Sequence, residues 1–387
     1  MKNVWNKIKT LISRNKDLTV IGVVDIVSSG IGAIFWFYIA LILGAEQYGQ
    51  VSYFLAIAGI ASTVSLLGSQ NTLIVYTAKN IKIQSTIYLI TTISGLVASL
   101  IVFLILQKTE VSLLVIGYVI FNLSISEIIG RKLFFTYAKY VIANKILTVG
   151  LSIGLYYLIG FQGIILGIAL ASFPYIIRIY QGFKYSKIDF KLLKPRFGFM
   201  MTSYLTYLSD AFSGSLDKLI IAPLLGFVLL GNYQLGLQFL NILGIIPAIV
   251  YKYTVPHDAT GNPNKKLKKL TIIISAVIAA IGVIVSPILV PAIFPKYTEA
   301  VGVIQIVSLS LIPSTISLMY MSKFLGYEKN RIILIGAILY LVIQIVSIII
   351  LGKIFGTNGA AAALDISIIS HMIFYMVADR IIKDVKK

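Results

Sequence analysis

The chain has 387 residues, a formal net charge of +19, 58% hydrophobic residues and only 12% charged residues. Soluble domains carry roughly 45–50% apolar and about 25% charged residues, so this composition excludes an ordinary soluble domain. The sequence contains no cysteine, which excludes disulfides, thiolate metal sites and a cysteine nucleophile.

In chain order, twelve apolar segments are each long enough to cross a bilayer, because a spanning helix needs about 20 apolar residues. This pattern predicts an all-α polytopic membrane protein with about twelve transmembrane helices. The predicted spans are residues 18–43, 48–78, 85–106, 111–138, 141–159, 161–180, 199–225, 229–255, 271–294, 300–325, 331–351 and 358–380.

Positive charge is concentrated in alternate connections between these spans. If the N-terminus is cytoplasmic, 29 of the 33 basic residues fall in the inner segments, three fall in the outer ones, and Lys218 lies within a span. Because short cytoplasmic loops are enriched in Lys and Arg, the pattern predicts a multi-pass protein of the cell (plasma or inner) membrane with both termini in the cytoplasm. It also indicates anionic membrane lipids, and not nucleic acid, as partners of the basic residues.

Residues 1–17 form a basic segment before the first span. Apolar residues from Val4 to Ile12 fall on one helical face and the basic residues fall elsewhere, which predicts an amphipathic interfacial helix on the inner leaflet. A disordered basic tail is the alternative. The apolar segment behind it is too long for a cleavable signal peptide.

Two motifs recur in both halves of the chain. Leu43-Gly44 followed by Gly49 opens span 2, and Leu225-Gly226 followed by Gly231 opens span 8, 182 residues later. Gln162-Gly163 and Asn358-Gly359 open spans 6 and 12, 196 residues apart, so fourteen extra residues are expected in the loop at 257–270. Halves with six spans share one orientation, as in transporters with parallel repeats. The predicted lobes are residues 18–185 and 199–387, joined by a basic cytoplasmic linker at 186–198.

Polar residues follow one face of spans 1, 7 and 8 at helical spacing, and these three stripes predict a polar cavity. An ionisable residue inside a span is costly, so it usually faces the bundle interior or a water-filled cavity. The candidates for a substrate cavity or for ion coupling are Asp25, Ser29, Asp210, Asp217, Lys218, Gln234, Gln238, Asn241 and His371. The candidates for the cytoplasmic mouth of the cavity are Lys79, Lys145 and Arg178.

For each of these candidates, a functional role is weighed against a purely structural one. For the Ser and Thr positions, interhelical hydrogen bonding is the favoured interpretation. For Asp25 and Asp210, function is favoured. His371 fits a proton relay or an ordinary hydrogen bond equally well. Asp217 and Lys218 are adjacent, and each is expected to find its partner on another span.

Proline is concentrated in the second half of the chain. Pro287, Pro291 and Pro295 are expected to bend span 9 sharply, because proline frees backbone carbonyls and kinks a helix. Packing shape and a hinge for alternating access are both open as interpretations.

No enzyme constellation is present in the sequence. It contains no GxSxG, HExxH, Walker loop or His/Cys metal spacing. The connections are also too short for a soluble catalytic domain. We therefore expect neither an enzyme nor a metal site.

Residues 43–68, LGAEQYGQVSYFLAIAGIASTVSLLG, fit the pattern LGxExYGxxS…LG. The segment resembles the second helix of polysaccharide-export flippases, the Wzx-type O-antigen flippases of the multidrug/oligosaccharidyl-lipid/polysaccharide (MOP) exporter superfamily. Further similar segments extend the resemblance over nearly the whole chain: Asp217-Lys218-Leu219-Ile220-Ile221, Leu225-Gly226 with Gly231-Asn232-Tyr233, Tyr297 to Ile312, and Asn358-Gly359-Ala360-Ala361.

The resemblance implies a MATE-like fold of two six-helix lobes around a central cavity that opens alternately to each face, lined by helices 1, 2, 7 and 8. It implies translocation of a polyprenyl-(pyro)phosphate-linked oligosaccharide to the outer leaflet for surface polysaccharide synthesis. The expected partners are that substrate, anionic lipids, and a glycan polymerase or glycosyltransferases. No cofactor is expected, and H⁺ or Na⁺ as a coupling ion is a hypothesis.

The charges within the predicted spans depart from what the resemblance implies. A pyrophosphate prefers cations, yet the predicted spans hold four aspartates against Lys218 and His371. A cation-coupled multidrug or small-molecule exporter of the same superfamily is therefore the main alternative. A membrane-embedded glycan polymerase or ligase is a weaker one, because no large loop is present.

Overall fold

The structure is a computed structural model and describes residues 16–297 and 299–385. Every regular element within these residues is helical, so the fold is all-α, as predicted. The interfacial helix predicted over residues 1–17 lies almost entirely outside the described residues.

The described residues form sixteen α-helices, with short 3₁₀ helices at Phe173–Tyr175 and Lys194–Arg196. In the N-terminal half they are α1 (Lys16–Leu43), α2 (Ala45–Leu66), α3 (Ser69–Ala78), α4 (Gln84–Leu106), α5 (Thr109–Gly130), α6 (Phe134–Ile159), α7 (Gln162–Ser172), α8 (Ile176–Tyr185) and α9 (Phe190–Leu193). In the C-terminal half they are α10 (Phe197–Leu225), α11 (Phe227–Leu243), α12 (Ile245–Ala259), α13 (Lys265–Ile293), α14 (Ala300–Leu309), α15 (Leu311–Gly326) and α16 (Asn330–Val385).

Twelve spanning segments are present in the described part of the chain. Nine helical segments are long and apolar enough to cross a membrane, and the bent pair of α11 and α12 makes a tenth. One of the nine, α16, is kinked at Gly356, where φ is 59° and ψ is −133°, so it holds two spans. The twelfth segment is α10, which has 29 residues and carries a polar stripe. The chain is therefore a polytopic membrane protein.

The boundary between spans 4 and 5 differs from the predicted one at residues 139–140. Helix α5 ends at Gly130 and α6 begins at Phe134. The helix ends because Lys132 has a left-handed φ of 59°, a conformation that stops helices. The left-handed residue is a lysine and not the nearby Gly130, and the apolar residues from Leu133 onward conceal the turn. Lys139, predicted in the connection before span 5, therefore lies within α6. Lys145, which was counted with the inner basic residues, lies deeper in the same helix.

Span 8 is bent. Helices α11 and α12 meet at an angle of 49° around Gly244, three residues before Pro247. Helix α13 continues without interruption through Pro287 and Pro291, and Pro295 follows its end. Pro287 lacks the N–H that would bond to the Val283 carbonyl, and that oxygen accepts instead from the Ser286 hydroxyl and from Gln305 Nε2. The sharp bend expected at these prolines stays a prediction.

The described residues form two compact units. Unit 1 contains residues 16–35 and 54–215, and unit 2 contains residues 36–53 and 216–385. The core of unit 1 is built around Tyr88, Leu123 and Tyr175. The core of unit 2 is built around Tyr233 and Ile348.

Helices end at matching places in the two halves of the sequence. Each of these ends has a residue with positive φ, and the pairs are Gly44 and Gly226, Asn80 and Gly261, Lys132 and Glu328, and Gly160 and Gly356. Their separations are 182, 181, 196 and 196 residues, so the spacing of the glycine motifs reappears in the backbone.

The extra residues of the second half do not lie in the loop at 257–270, so that expectation is wrong. The connections at 79–83 and 260–264 have equal lengths. Instead, α13 has 29 residues where α4 has 23, and the segment Ala300–Gly326 has 27 residues where α5 has 22. Most of the extra residues therefore lie in longer helices, and four lie in the connection at 294–299, which has six residues where the connection at 107–108 has two. Hydropathy does not distinguish a longer helix from a longer loop when a basic run such as Lys265–Lys269 begins the helix.

The repeated glycines allow two helices of unit 2 to touch through their backbones. A Cβ atom at Gly49 would lie 2.0 Å from the carbonyl oxygen of Phe227, and one at Gly231 would lie 1.8 Å from that of Ala45. Because such distances exclude any side chain, only glycine permits this crossing of α2 and α11. The motif is thus explained by packing.

Candidate functional site

An ion pair between neighbouring residues lies in the middle of unit 2. Asp217 on α10 is 5% exposed, and its Oδ1 lies 3.2 Å from Lys218 Nζ. The backbone amide of Lys218 also donates to that oxygen at 2.8 Å. The expectation that each residue finds its partner on another span is therefore incomplete, because the two side chains pair with each other. Pairing is what makes a buried carboxylate tolerable in a spanning helix.

Tyrosine hydroxyls surround this ion pair. The Tyr233 hydroxyl on α11 donates to Asp217 Oδ2 at 3.1 Å. Tyr340 on α16 is close enough to Asp217 for an electrostatic interaction. Asp365, on the second span of α16, likewise acts on the Tyr233 hydroxyl. Two carboxylates thus share one buried hydroxyl neighbour.

Polar groups of α16 extend the cluster. Gln344 is 2% exposed, and its Oε1 accepts no hydrogen bond from the described residues. The ring of His371 lies 5.9 Å from that of Tyr340 and 4.2 Å from that of Tyr375, measured between centroids. His371 Nε2 has no hydrogen-bond partner among the described residues. Its present contacts are therefore aromatic stacking.

The surroundings of Asp365 differ from those of Asp217. It forms no ion pair with the described residues, and its Oδ1 has no hydrogen-bond donor there, although the Ser310 hydroxyl lies beside the carboxyl group. A largely buried carboxylate that has a hydroxyl but no cation beside it is costly. Since Lys218 already neutralises Asp217, Asp365 is the group of this cluster best able to take up a proton or a cation. We call Asp217, Lys218, Tyr233, Tyr340, Gln344, Asp365 and His371 the α10–α16 cluster.

The three amide candidates on α11 and at its end have different environments. Gln238 is buried, and Gln234 is half-buried with an Oε1 that accepts no hydrogen bond from described residues. Asn241 is exposed. They line one face of the helix, as their spacing predicts. No hydrogen bond joins them to the α10–α16 cluster in the described part of the chain.

Asp25 and Ser29 belong to unit 1. Asp25 Oδ1 accepts a hydrogen bond of 3.2 Å from the hydroxyl of Tyr137 on α6. Ser29 is exposed on α1. A tyrosine partner was not predicted, because Tyr137 was assigned to span 4 and its turn at Lys132 was not recognised.

Asp210 also belongs to unit 1 and is exposed on α10. One turn before it, the Tyr207 hydroxyl donates to Asn71 Oδ1 on α3 at 2.9 Å. Thr202, Thr206 and Ser213 donate to carbonyl groups of their own helix. Those three hydroxyls are therefore satisfied locally, which leaves Asp210 as the strongest polar group on this stretch of α10.

The three candidates for a cytoplasmic mouth lie at different depths. Lys79 follows α3 and lies over the ring of Tyr76, 5.7 Å from its centroid. Lys145 follows Phe134, the first residue of α6, by eleven residues, or roughly 17 Å at 1.5 Å per residue. Arg178 lies on α8 over the ring of Tyr140, 5.7 Å from its centroid. Lys145 is thus inside a span and not at its end.

Arg178 is incompletely satisfied. Its Nη1 donates to Gln181 Oε1 at 3.4 Å, whereas its Nε and Nη2 are buried without a hydrogen-bond partner among the described residues. Together with Lys145 it adds positive charge inside the spans of unit 1. The sequence-based view that Lys218 and His371 were the basic residues of the spans is therefore wrong. Lys145 and Arg178 had been counted with the inner connections, although they lie within the predicted spans 141–159 and 161–180.

Sequence reasoning missed several residues of the α10–α16 cluster. Tyr233, Tyr340 and Gln344 were not candidates, and Asp365 was noted only as a charge. Tyrosine and single glutamine residues are common in membrane helices, so they carry little signal alone. A usable signal was present in the i, i+4 spacing of Tyr340 and Gln344 on an otherwise apolar helix.

The fold and these buried charges define a polytopic membrane protein. Its structure is similar to that of the lipid II flippase MurJ in an inward closed conformation, with a TM-score of 0.74 and 14% identity, covering 94% of this chain and 87% of that one. An inward-facing multidrug resistance MATE family transporter of the MOP superfamily gives 0.67 and 14%, with 93% and 95% covered.

A third similar structure is a MOP superfamily transporter from Pyrococcus furiosus, described as having a binding pocket of reverse polarity. Its TM-score is 0.61 at 15% identity, with 96% of this chain and 97% of that one covered. No known family and no curated protein matches the sequence. At these identities the likeness concerns the fold alone, and the chain has the MATE-like fold of MOP superfamily transporters.

Proposed function

We propose that this protein is a flippase that moves a polyprenyl-(pyro)phosphate-linked oligosaccharide from the cytoplasmic to the outer leaflet by alternating access, for surface polysaccharide synthesis. The observation that carries the proposal is the likeness over 94% of the chain to a lipid II flippase, at a TM-score of 0.74. The Wzx-like motifs support the same substrate class.

The chemistry of the substrate explains why a protein is needed. An oligosaccharide headgroup cannot cross hydrocarbon unaided, because its hydroxyls would lose their hydrogen bonds to water. Serine, threonine and glutamine side chains on α10 and α11 offer replacement partners. The tail can stay in the lipid throughout.

Charge inside unit 1 also supports an anionic substrate. Lys145 lies well within α6, and Arg178 keeps two N–H groups without partners in the described residues. Guanidinium and ammonium groups are the side chains that bind phosphate. We infer that these two residues neutralise the pyrophosphate during its passage.

The test in cells is deletion of the gene in its host, followed by measurement of lipid-linked oligosaccharide and of surface glycan. Loss of surface glycan together with precursor accumulated in the inner leaflet supports the flippase. Normal surface glycan in a strain without a redundant transporter overturns it.

A reconstituted assay separates the flippase from the drug exporter. Proteoliposomes receive a fluorescent polyprenyl-pyrophosphate saccharide, and a membrane-impermeant quencher reports how much reaches the far leaflet. We expect flipping by the wild type and roughly a tenfold loss in Lys145→Gln, because the ammonium that faces the phosphate is removed. Lys187→Gln, in the exposed linker, is the control. Efflux of cationic dyes without flipping favours the exporter.

We further propose that uptake of H⁺ or Na⁺ at Asp365 drives the cycle. Asp217 is neutralised by Lys218, so Asp365 is the carboxylate with room for a cation. Flipping is measured under an imposed proton gradient and, separately, under an imposed sodium gradient. Stimulation by one of them in the wild type, lost in Asp365→Asn but kept in Asp189→Asn, identifies the ion. Equal flipping under both gradients and in their absence rules coupling out.

The proposed location is the cell membrane, with both termini in the cytoplasm. Because the natural chain lacks cysteine, single cysteines report topology without background. A membrane-impermeant maleimide added to intact cells is expected to label Lys353→Cys and to leave Lys187→Cys unlabelled. The opposite result inverts the topology.

A further inference from the structure

A cavity of about 510 Å³ lies at one end of unit 2, where the ends of α12, α15 and α16 meet the start of α13. It is separate from the α10–α16 cluster. Its charged lining residues are Asp258, Lys265, Lys268, Lys269, Lys323 and Asp379.

Both acids of the cavity are already neutralised. Asp258 forms an ion pair with Lys268, and its Oδ2 also accepts a hydrogen bond of 2.5 Å from the Ser322 hydroxyl. Asp379 forms an ion pair with Lys323. Four lysines against two aspartates leave the cavity with an excess of positive charge.

That excess belongs to Lys265 and Lys269. Both side chains are exposed, and neither forms a hydrogen bond or an ion pair with a described residue. They lie four residues apart, so they project from the same side of the first turn of α13. Two ammonium groups at one rim attract an anion.

The paired lysines also retain hydrogen-bonding capacity. An ammonium group has three donors. Lys268 uses one for Asp258 and one, at 3.3 Å, for the carbonyl oxygen of Met319. Lys323 uses one for Asp379. The buried carboxylates therefore hold two ammonium groups in fixed positions with donors to spare.

The rest of the lining is apolar. Ile272, Ile316, Met319 and Tyr320 form this wall. On the same helix, Leu270 and Ile273 are exposed, as expected of residues that face lipid. A free inorganic anion gains nothing from such a wall, whereas the glycerol esters and first methylenes of a lipid bury apolar area there.

We propose that this cavity binds the headgroup of an anionic glycerophospholipid, with the phosphate against Lys265 and Lys269 and the glycerol esters against the apolar wall. The site is independent of the transported substrate and of the proposed flippase function. It fits the general attraction of basic residues at span ends to anionic lipids, and it adds a defined pocket.

The experiment is native mass spectrometry on the purified, delipidated full-length protein, titrated with dioleoylphosphatidylglycerol or dioleoylphosphatidylcholine. The test variant is Lys265→Gln/Lys269→Gln. The matched control is Lys266→Gln/Lys329→Gln, which removes two exposed lysines at the same end that do not line the cavity. All four positions are exposed, so folding is retained, and thermal unfolding checks it.

We expect the wild type to prefer phosphatidylglycerol, and the test variant to bind it about fivefold to tenfold more weakly, with little change in the control. Equal losses in both variants overturn the proposal, because the attraction is then diffuse. Unchanged binding in the test variant, or no preference between the two lipids, overturns it too. Displacement of phosphatidylglycerol by excess inorganic phosphate assigns the cavity to a free anion and not to a lipid.

Discussion

The two units share a succession of helix ends but differ in how their buried charges are paired. Glu127 in unit 1 and Lys323 in unit 2 occupy the same place, three residues before the last glycine of α5 and of α15. Glu127 pairs with Arg131 on its own helix. Lys323 pairs with Asp379, which is 56 residues away on α16.

Two ion pairs of unit 2 join different helices. Asp258 and Lys268 join α12 to α13, and Lys323 and Asp379 join α15 to α16, whereas the pair of Glu127 and Arg131 in unit 1 is local. Ring contacts occur in both units, such as Tyr140 and Phe121 against Tyr175 in unit 1 and Tyr48 and Phe294 against Tyr297 in unit 2. The same backbone plan therefore holds ion pairs that reach a second helix in unit 2 and a local pair in unit 1, whereas ring packing is common to both.

The largest difference in stability between variants of the two units is expected when the basic residue of a buried ion pair is replaced. Lys218→Met leaves Asp217 buried and unpaired, which costs about 3 kcal/mol. Arg131→Met in unit 1 should cost about 1 kcal/mol, since Arg131 is partly exposed and its pair with Glu127 is screened by solvent. Denaturant titration of the purified protein measures both changes.

A double variant tests whether the loss of stability in Lys218→Met comes from the unpaired charge of Asp217. Asp217→Asn/Lys218→Met removes both charges and should recover most of the stability lost in Lys218→Met alone. A double variant as unstable as the single one would show that Lys218 contributes by packing. In that case the contrast between the units would not rest on buried charge.

The next largest loss of stability is expected when a side chain is added where α2 and α11 cross. Gly231→Val places a side chain against the Ala45 backbone and should cost about 2–3 kcal/mol. Gly59→Val on α2 is the control, since nothing lies within 4 Å of its Cβ position. Thermal unfolding of both variants measures the difference, and equal midpoints would contradict the backbone contact.

Gly130 and Gly326 end α5 and α15 at matching places of the two halves. Replacing them tests whether matching positions contribute equally to stability as well as sharing a backbone geometry. A Cβ at Gly130 would lie 2.9 Å from the Ile74 carbonyl oxygen, and one at Gly326 would lie 2.7 Å from the carbonyl carbon of Asp258. Gly130→Ala and Gly326→Ala should each cost about 1–2 kcal/mol. Gly150→Ala, with open space around it, should be slightly stabilising. Widely different free-energy costs for Gly130→Ala and Gly326→Ala would show that the two positions are not equivalent in stability.

Two buried tyrosine hydroxyls give the smallest effect. Tyr297 donates to the Ala40 carbonyl oxygen at 2.8 Å in unit 2, and Tyr175 donates to that of Tyr140 at 2.7 Å in unit 1. Replacing either by Phe should cost about 1 kcal/mol. Unfolding free energies of the two variants should agree within error.

The Tyr297 contribution should also depend on pH in a defined direction. Burial raises the pKa of the Tyr297 phenol well above its ordinary value of 10.0. Since the folded state holds this proton more tightly, the contribution is complete below pH 10.0 and falls only as the pH rises beyond it. The difference between wild type and Tyr297→Phe should therefore be constant from pH 6 to pH 9, and a decline across that range would contradict the burial of the phenol.

Much of the architecture could be predicted because hydrophobicity and charge act locally along the chain. The all-α membrane fold followed from apolar length, and the repeat followed from the spacing of Leu43-Gly44 and Leu225-Gly226. The turn at Lys132 was missed, because its left-handed residue is a lysine and the apolar residues on both sides fit one continuous span. That error placed Tyr137 in the wrong helix.

The sequence by itself determined that this chain resides in a membrane, where its helices begin and end to within a few residues in most spans, and which aspartates lie inside them. Only the tertiary structure decided their partners: Lys218 and Tyr233 around Asp217, no ion pair among the described residues for Asp365, and Asp379 beside Lys323. The reason is physical. Burial depends on local composition, whereas pairing depends on which helix faces lie together, and that is fixed by contacts between residues far apart in the chain.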